Sequence, residues 1–107
     1  MAWVYLFIAG IFEIVWAIGI KYSNGFSKLW PSVITVVGMI LSILFLSKAL
    51  KELPLGTAYA IWTGIGVIGT SIFGIFLFKE SIELLKILFI LFILVGIIGL
   101  KLISTTN

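Results

Sequence analysis

Four apolar stretches, at about 2–20, 30–47, 55–78 and 84–103, take up most of this 107-residue chain. Each has about the length of 20 residues that a helix needs to cross the hydrocarbon core of a bilayer. In lipid every backbone N–H and C=O must find its partner inside the protein, so a spanning segment is a helix or part of a closed barrel. Barrel strands alternate in polarity over about ten residues, whereas these runs are continuously apolar. The composition agrees: 63% of the residues are hydrophobic and 10% charged, against roughly 45–50% and about 25% in ordinary soluble domains. Only short segments separate the runs, too short for a soluble domain. The sequence therefore predicts an all-α integral membrane protein, one domain over 1–107 with four transmembrane helices.

Several functions are excluded early. There is no cysteine and no histidine, so a disulfide scaffold, thiolate metal sites and the usual general base are absent. Glu13, Glu52, Glu80 and Glu83 are the only acids. No nucleophile, metal set or nucleotide loop accompanies them, so neither an enzyme nor a bound metal or cofactor is expected. The net charge is +3, but its seven lysines stand singly between apolar runs. A nucleic-acid footprint needs basic residues clustered on one solvated face, so the lysines read as helix-end anchors at lipid headgroups. The first stretch has no basic leader and carries a glutamate at its middle, which is unlike a cleaved signal peptide.

The lysines also bear on orientation. Four spans leave Lys48, Lys51 and Lys101 on one side with the N-terminus, and Lys21, Lys28, Lys79 and Lys86 on the other. Three against four gives the positive-inside rule almost nothing to act on. Such a chain is expected to insert both ways, and opposite copies can then pair as an antiparallel dimer.

Glu13 is the one acid inside a span. At 1.5 Å per residue it lies about 16 Å into a core about 30 Å thick, too deep for its side chain to reach the headgroups. A central acid costs about 2.5–3.5 kcal/mol on insertion scales and usually faces a cavity or a partner. A functional site is one reading, and a protonated carboxyl serving as an interhelical hydrogen bond is the other. Gly10, Glu13, Trp16 and Ala17 share a helix face by spacing. Gly10 and Ala17 leave room there, and Trp16 offers an indole donor at a depth where interfacial tryptophans are not found. Trp16 can equally serve as a packing residue.

The third stretch repeats the theme: Tyr59, Trp62, Thr63 and Gly66 share a face. Aromatic walls around a carboxylate hold a cation by charge and ring quadrupole together. Gly64, Gly66, Gly69 and Gly74 thin this helix, as hinge positions or as ordinary small-residue packing. Ser42 is a hydroxyl near the midplane of the second stretch, free to serve a site or to bond its own backbone carbonyl. Burial favours the neutral acid and a bound cation favours the carboxylate, so proton and cation would compete for Glu13. If the site opens to one side at a time, that competition is sufficient for antiport. Four short helices scarcely enclose a cavity, so at least a dimer is expected, with two Glu13 residues facing each other.

These residues together resemble the small multidrug resistance family. The likeness rests on the four spans, the first-helix glutamate, Lys21-Tyr22-Ser23-Asn24-Gly25-Phe26, Pro31-Ser32, and Gly56-Thr57-Ala58-Tyr59-Ala60-Ile61-Trp62. Within it, Ala9-Gly10-Ile11-Phe12-Glu13-Ile14-Val15-Trp16-Ala17 and the ending Gly96-Ile97-Ile98-Gly99-Leu100-Lys101 are similar to the guanidinium-exporter branch. The resemblance implies an antiparallel, dual-topology homodimer in the bacterial plasma membrane that exports guanidinium in exchange for protons. It implies that Glu13 of both subunits binds substrate or proton, with Gly10, Trp16, Ser42, Tyr59 and Trp62 around it. It further implies that α-helical bending at Gly64 and Gly66 accompanies alternating access. The competing readings are a promiscuous exporter of quaternary ammonium and other hydrophobic cations, one half of a heterodimer, and a structural or rotor subunit of a larger membrane complex. Trp16, where the ammonium branch usually has a small residue, favours guanidinium.

Overall fold

The computed structural model describes residues 1–104 and has four helices: α1 (Ala2–Tyr22), α2 (Leu29–Ala49), α3 (Leu55–Phe78) and α4 (Leu84–Ser104). All four are long and apolar enough to cross a membrane.

The helix ends follow from local chemistry. α1 runs two residues past Ile20 because Lys21 and Tyr22 find partners on α3: the Lys21 ammonium lies over the Phe78 ring and the Tyr22 ring packs on it. Ser23 then stops the helix. Its hydroxyl donates to the Ile20 carbonyl and accepts from the Phe26 amide. Asn24, Gly25 and Phe26 all take positive φ, which turns the chain sharply toward α2. Pro31 sits in the first turn of α2, where its missing N–H has no helical partner to lose. α2 continues to Ala49, which is fully buried against Leu6, Ala58 and Ile61. α3 begins after Pro54 and ends at Lys79 in the left-handed region, from which Glu80 returns its amide to the Gly74 carbonyl.

The helices form a single layer in the spatial order α2, α1, α3, α4. α1 packs against α2 and α3, α2 barely meets α3, and α4 lies along α3, reaching α1 through Lys101 over Trp3. The molecule measures 45 × 34 × 16 Å, so its short dimension is little more than one helix of about 10–12 Å diameter. The lysines fall at opposite ends as the four spans require. Lys48 lies over Tyr5 and Lys101 over Trp3 at one end, while Lys21 and Lys86 meet Glu80 at the other.

Candidate functional site

The seam between α1 and α3 is built by glycines. The two helices run in the same direction, and their contacts climb together: Gly10 on Ile65, Glu13 on Gly66, and Ile14 on Gly69. At each level one side is small, so the backbones approach closely. Glu13 occupies the middle level. A Cβ placed on Gly66 would stand 2.6 Å from the Glu13 carboxyl carbon, so any larger residue here would push the carboxyl group aside.

Ser42 does not bond its own helix. Its buried hydroxyl donates to the Ala9 carbonyl of α1 at 2.7 Å and accepts the Trp62 indole N–H of α3 at 2.9 Å. Ala9 is four residues before Glu13, so its carbonyl is also the helical acceptor of the Glu13 amide. One hydroxyl thus joins α2, α1 and α3 at the turn that carries the carboxyl group. Trp62 is in turn packed by Tyr59, ring centroids 5.5 Å apart at 57°. Tyr59 stands at the surface of the layer, 55% exposed.

Trp16 is held differently. Its Cβ rests on α2, where a Cβ at Gly38 would come within 3.2 Å, and Phe12 stacks on Phe45 one turn away. The Trp16 indole N–H, one Glu13 carboxyl oxygen (Oε1) and the Thr63 hydroxyl are buried with no hydrogen-bond partner among the described residues. Near the middle of an apolar layer, these are a carboxyl acceptor and two groups able to donate.

The structure therefore brings together Glu13 with Gly66, Ser42 with Trp62, and Trp62 with Tyr59. It sets Gly10 against Ile65 and Gly64 against Ile97 and Ile93 of α4, so both are contact positions between helices. α3 is one uninterrupted helix through Gly64 and Gly66. Two contributors carry no signal in the sequence. The Ala9 carbonyl carries no side-chain signal, and Gly38 looks like any helical glycine. Thr63 was visible on the Tyr59 face, but nothing in the sequence said that its hydroxyl lacks a backbone partner.

The model of the family described as Small Multidrug Resistance protein matches residues 1–93. A protein of Proteus vulgaris named guanidinium exporter is 58% identical over 104 residues, covering 97% of this chain and all of that protein. Its namesake in Yersinia pseudotuberculosis is 60% identical over the same coverage. The guanidinium exporter of Escherichia coli K12 is 55% identical over 102 residues, 95% of this chain and 97% of that protein. A family match over most of the length, together with relatives this similar from end to end, shows that this chain belongs to the small multidrug resistance family.

Proposed function

We propose that this protein exports guanidinium in exchange for protons, as one half of an antiparallel homodimer in which Glu13 is the shared site of cation and proton. The observation that carries this reading is the Glu13 carboxyl group seated on Gly66 with an unpartnered, buried oxygen. A carboxylate kept from water attracts a cation or a proton strongly and cannot hold both at once. Guanidinium is planar, and its N–H groups meet a carboxylate in bidentate fashion. The rings of Trp16, Tyr59 and Trp62 suit the flat faces of such an ion. The relatives named guanidinium exporters support this choice of substrate.

The dimer is supported by shape and by charge. A layer 16 Å thick cannot surround an ion on its own, and a second layer laid against it closes the site. The three-to-four division of lysines between the ends supports insertion of the two copies in opposite senses. Two Glu13 carboxyl groups then face one cavity. Bending of α3 at Gly64 and Gly66 would alternate the opening between the two membrane faces.

The test is uptake into proteoliposomes driven by an acidic interior, comparing guanidinium with a tetraalkylammonium ion and using Glu13→Gln as control. Guanidinium accumulation that the control lacks is the expected result. Accumulation of the bulky ion alone would move the protein to quaternary ammonium export. Failure with both, from a verified dimer, would overturn the transporter reading.

A further inference from the structure

Thr35, Thr63 and Thr70, the threonines beyond the first turn of their helices, behave in two ways. Thr35 donates to the Pro31 carbonyl and Thr70 to the Gly66 carbonyl, each at 2.7 Å, four residues back in its own helix. This is the ordinary resting place of a threonine hydroxyl in an apolar helix. Thr63 departs from it: its Oγ1 is buried and makes no hydrogen bond among the described residues. A buried hydroxyl left unpaired is costly, so its orientation calls for a partner of its own.

Position indicates which partner. Thr63 is three residues before Gly66 on the same face of α3, about 4.5 Å lower along the axis. Gly66 is the residue on which the Glu13 carboxyl rests. Side chains on a helix lean toward its N-terminus, and α1 and α3 run in parallel, so Glu13 leans toward the turn that holds Thr63. Ser42, the other buried hydroxyl at this depth, is already committed: its proton goes to Ala9 and a lone pair to Trp62.

We propose that Thr63, and not Ser42, is the hydroxyl that serves the Glu13 carboxyl group, donating to the carboxylate when a cation is bound and accepting from the neutral acid when the proton is bound. Ser42 is the strut that fixes Trp62 and the α1 backbone. Thr63 thereby stabilises both states of the carrier and helps orient the carboxylate toward guanidinium. The inference deepens the reading of Glu13 as the exchange site and rests on it.

The test uses the full-length protein in lipid and two readouts. The first is the infrared carbonyl band of the protonated Glu13 carboxyl, identified by its loss in Glu13→Gln. In Thr63→Val, which keeps the shape and removes the hydroxyl, the band moves to higher frequency. Thr63→Ser returns it. Thr63→Ala gives the same reading should valine not be accommodated. The second readout is guanidinium uptake. KM rises about tenfold in Thr63→Val, the size expected for one hydrogen bond to a charged group, with kcat little changed and serine restoring it. An unmoved band in both Thr63→Val and Thr63→Ala overturns the assignment. Equal loss in Thr63→Val and Thr63→Ser also overturns it, since the hydroxyl is then not what matters. A wild-type protein that carries no guanidinium refutes the proposed substrate, while the band still decides the role of Thr63.

Discussion

The α1–α3 seam and α4 are both built from long apolar spans and differ in almost everything else. Along the seam, Gly66 and Gly69 are buried, a carboxyl group is seated on one of them, and neighbouring polar groups lie in the same layer. α4 buries none of its spanning residues, lies mainly along α3, and presents Phe89, Phe92, Val95 and Ile98 outward. Gly96 and Gly99 of α4 have nothing within 4 Å of where a Cβ would stand, whereas a Cβ on Gly66 or Gly69 would meet a side chain at once. Glycine therefore marks a contact already made inside the chain in one region and an open surface in the other. In lipid, where apolar surface by itself drives no association between helices, the seam holds the buried polar groups and α4 presents an open apolar face.

This contrast is broken most severely at Glu13. Glu13→Gln should reduce proton-coupled guanidinium uptake to background while crosslinking still yields a dimer; uptake retained in that variant would remove the site from the seam. Gly66→Ala comes next. Its methyl group must displace the carboxyl, an overpacking worth about 1–3 kcal/mol, and uptake should fall about tenfold or more. Wild-type uptake in Gly66→Ala would mean that the carboxyl has another resting place. Ser42→Ala leaves the Trp62 indole unpaired at an expected loss of about 1–3 kcal/mol, seen as a lower Tm in detergent and a shifted Trp62 emission. An unaltered Tm would show that the strut contributes nothing.

On the other side of the comparison, Gly96→Leu should leave helical content intact and lower the crosslinked dimer fraction in dilute detergent. An unchanged dimer would turn that part of α4 toward lipid. The smallest effect belongs to the Lys21–Glu80–Lys86 cluster at the membrane face, with nitrogen–oxygen distances of 3.1 and 3.8 Å. Lys21 is 55% exposed there, so Glu80→Gln should cost less than about 1 kcal/mol and lose even that in high salt. A large, salt-independent loss of stability would make the cluster a structural clasp.

Much of this was legible in the sequence because lipid leaves a chain so few choices. The four spans and the sharing of a face by Tyr59 and Trp62 follow from length and period alone. α1 and α2 run past the apolar stretches because Lys21, Tyr22 and Ala49 are held by contacts with other helices, which hydropathy does not register. Ser42 was recognised as a midplane hydroxyl, but its choice of the Ala9 carbonyl over its own depends on how closely α1 and α2 approach. The glycines gave the least away. Gly10, Gly64 and Gly66 look alike in sequence, yet they face Ile65, Ile97 and the Glu13 carboxyl respectively, and spacing alone cannot distinguish an isoleucine neighbour from a carboxylate. The family and its helical spans make the protein a multi-pass protein of the bacterial inner membrane, which is the setting all these contacts assume.

The most direct test of Glu13 as the shared site is proton movement driven by guanidinium. Proteoliposomes loaded with guanidinium and a trapped pH dye are diluted into guanidinium-free buffer at the same pH. Exchange at Glu13 predicts that the interior acidifies as guanidinium leaves, and that Glu13→Gln vesicles do neither. Guanidinium leaving without acidification, or acidification that persists in Glu13→Gln, would contradict the account.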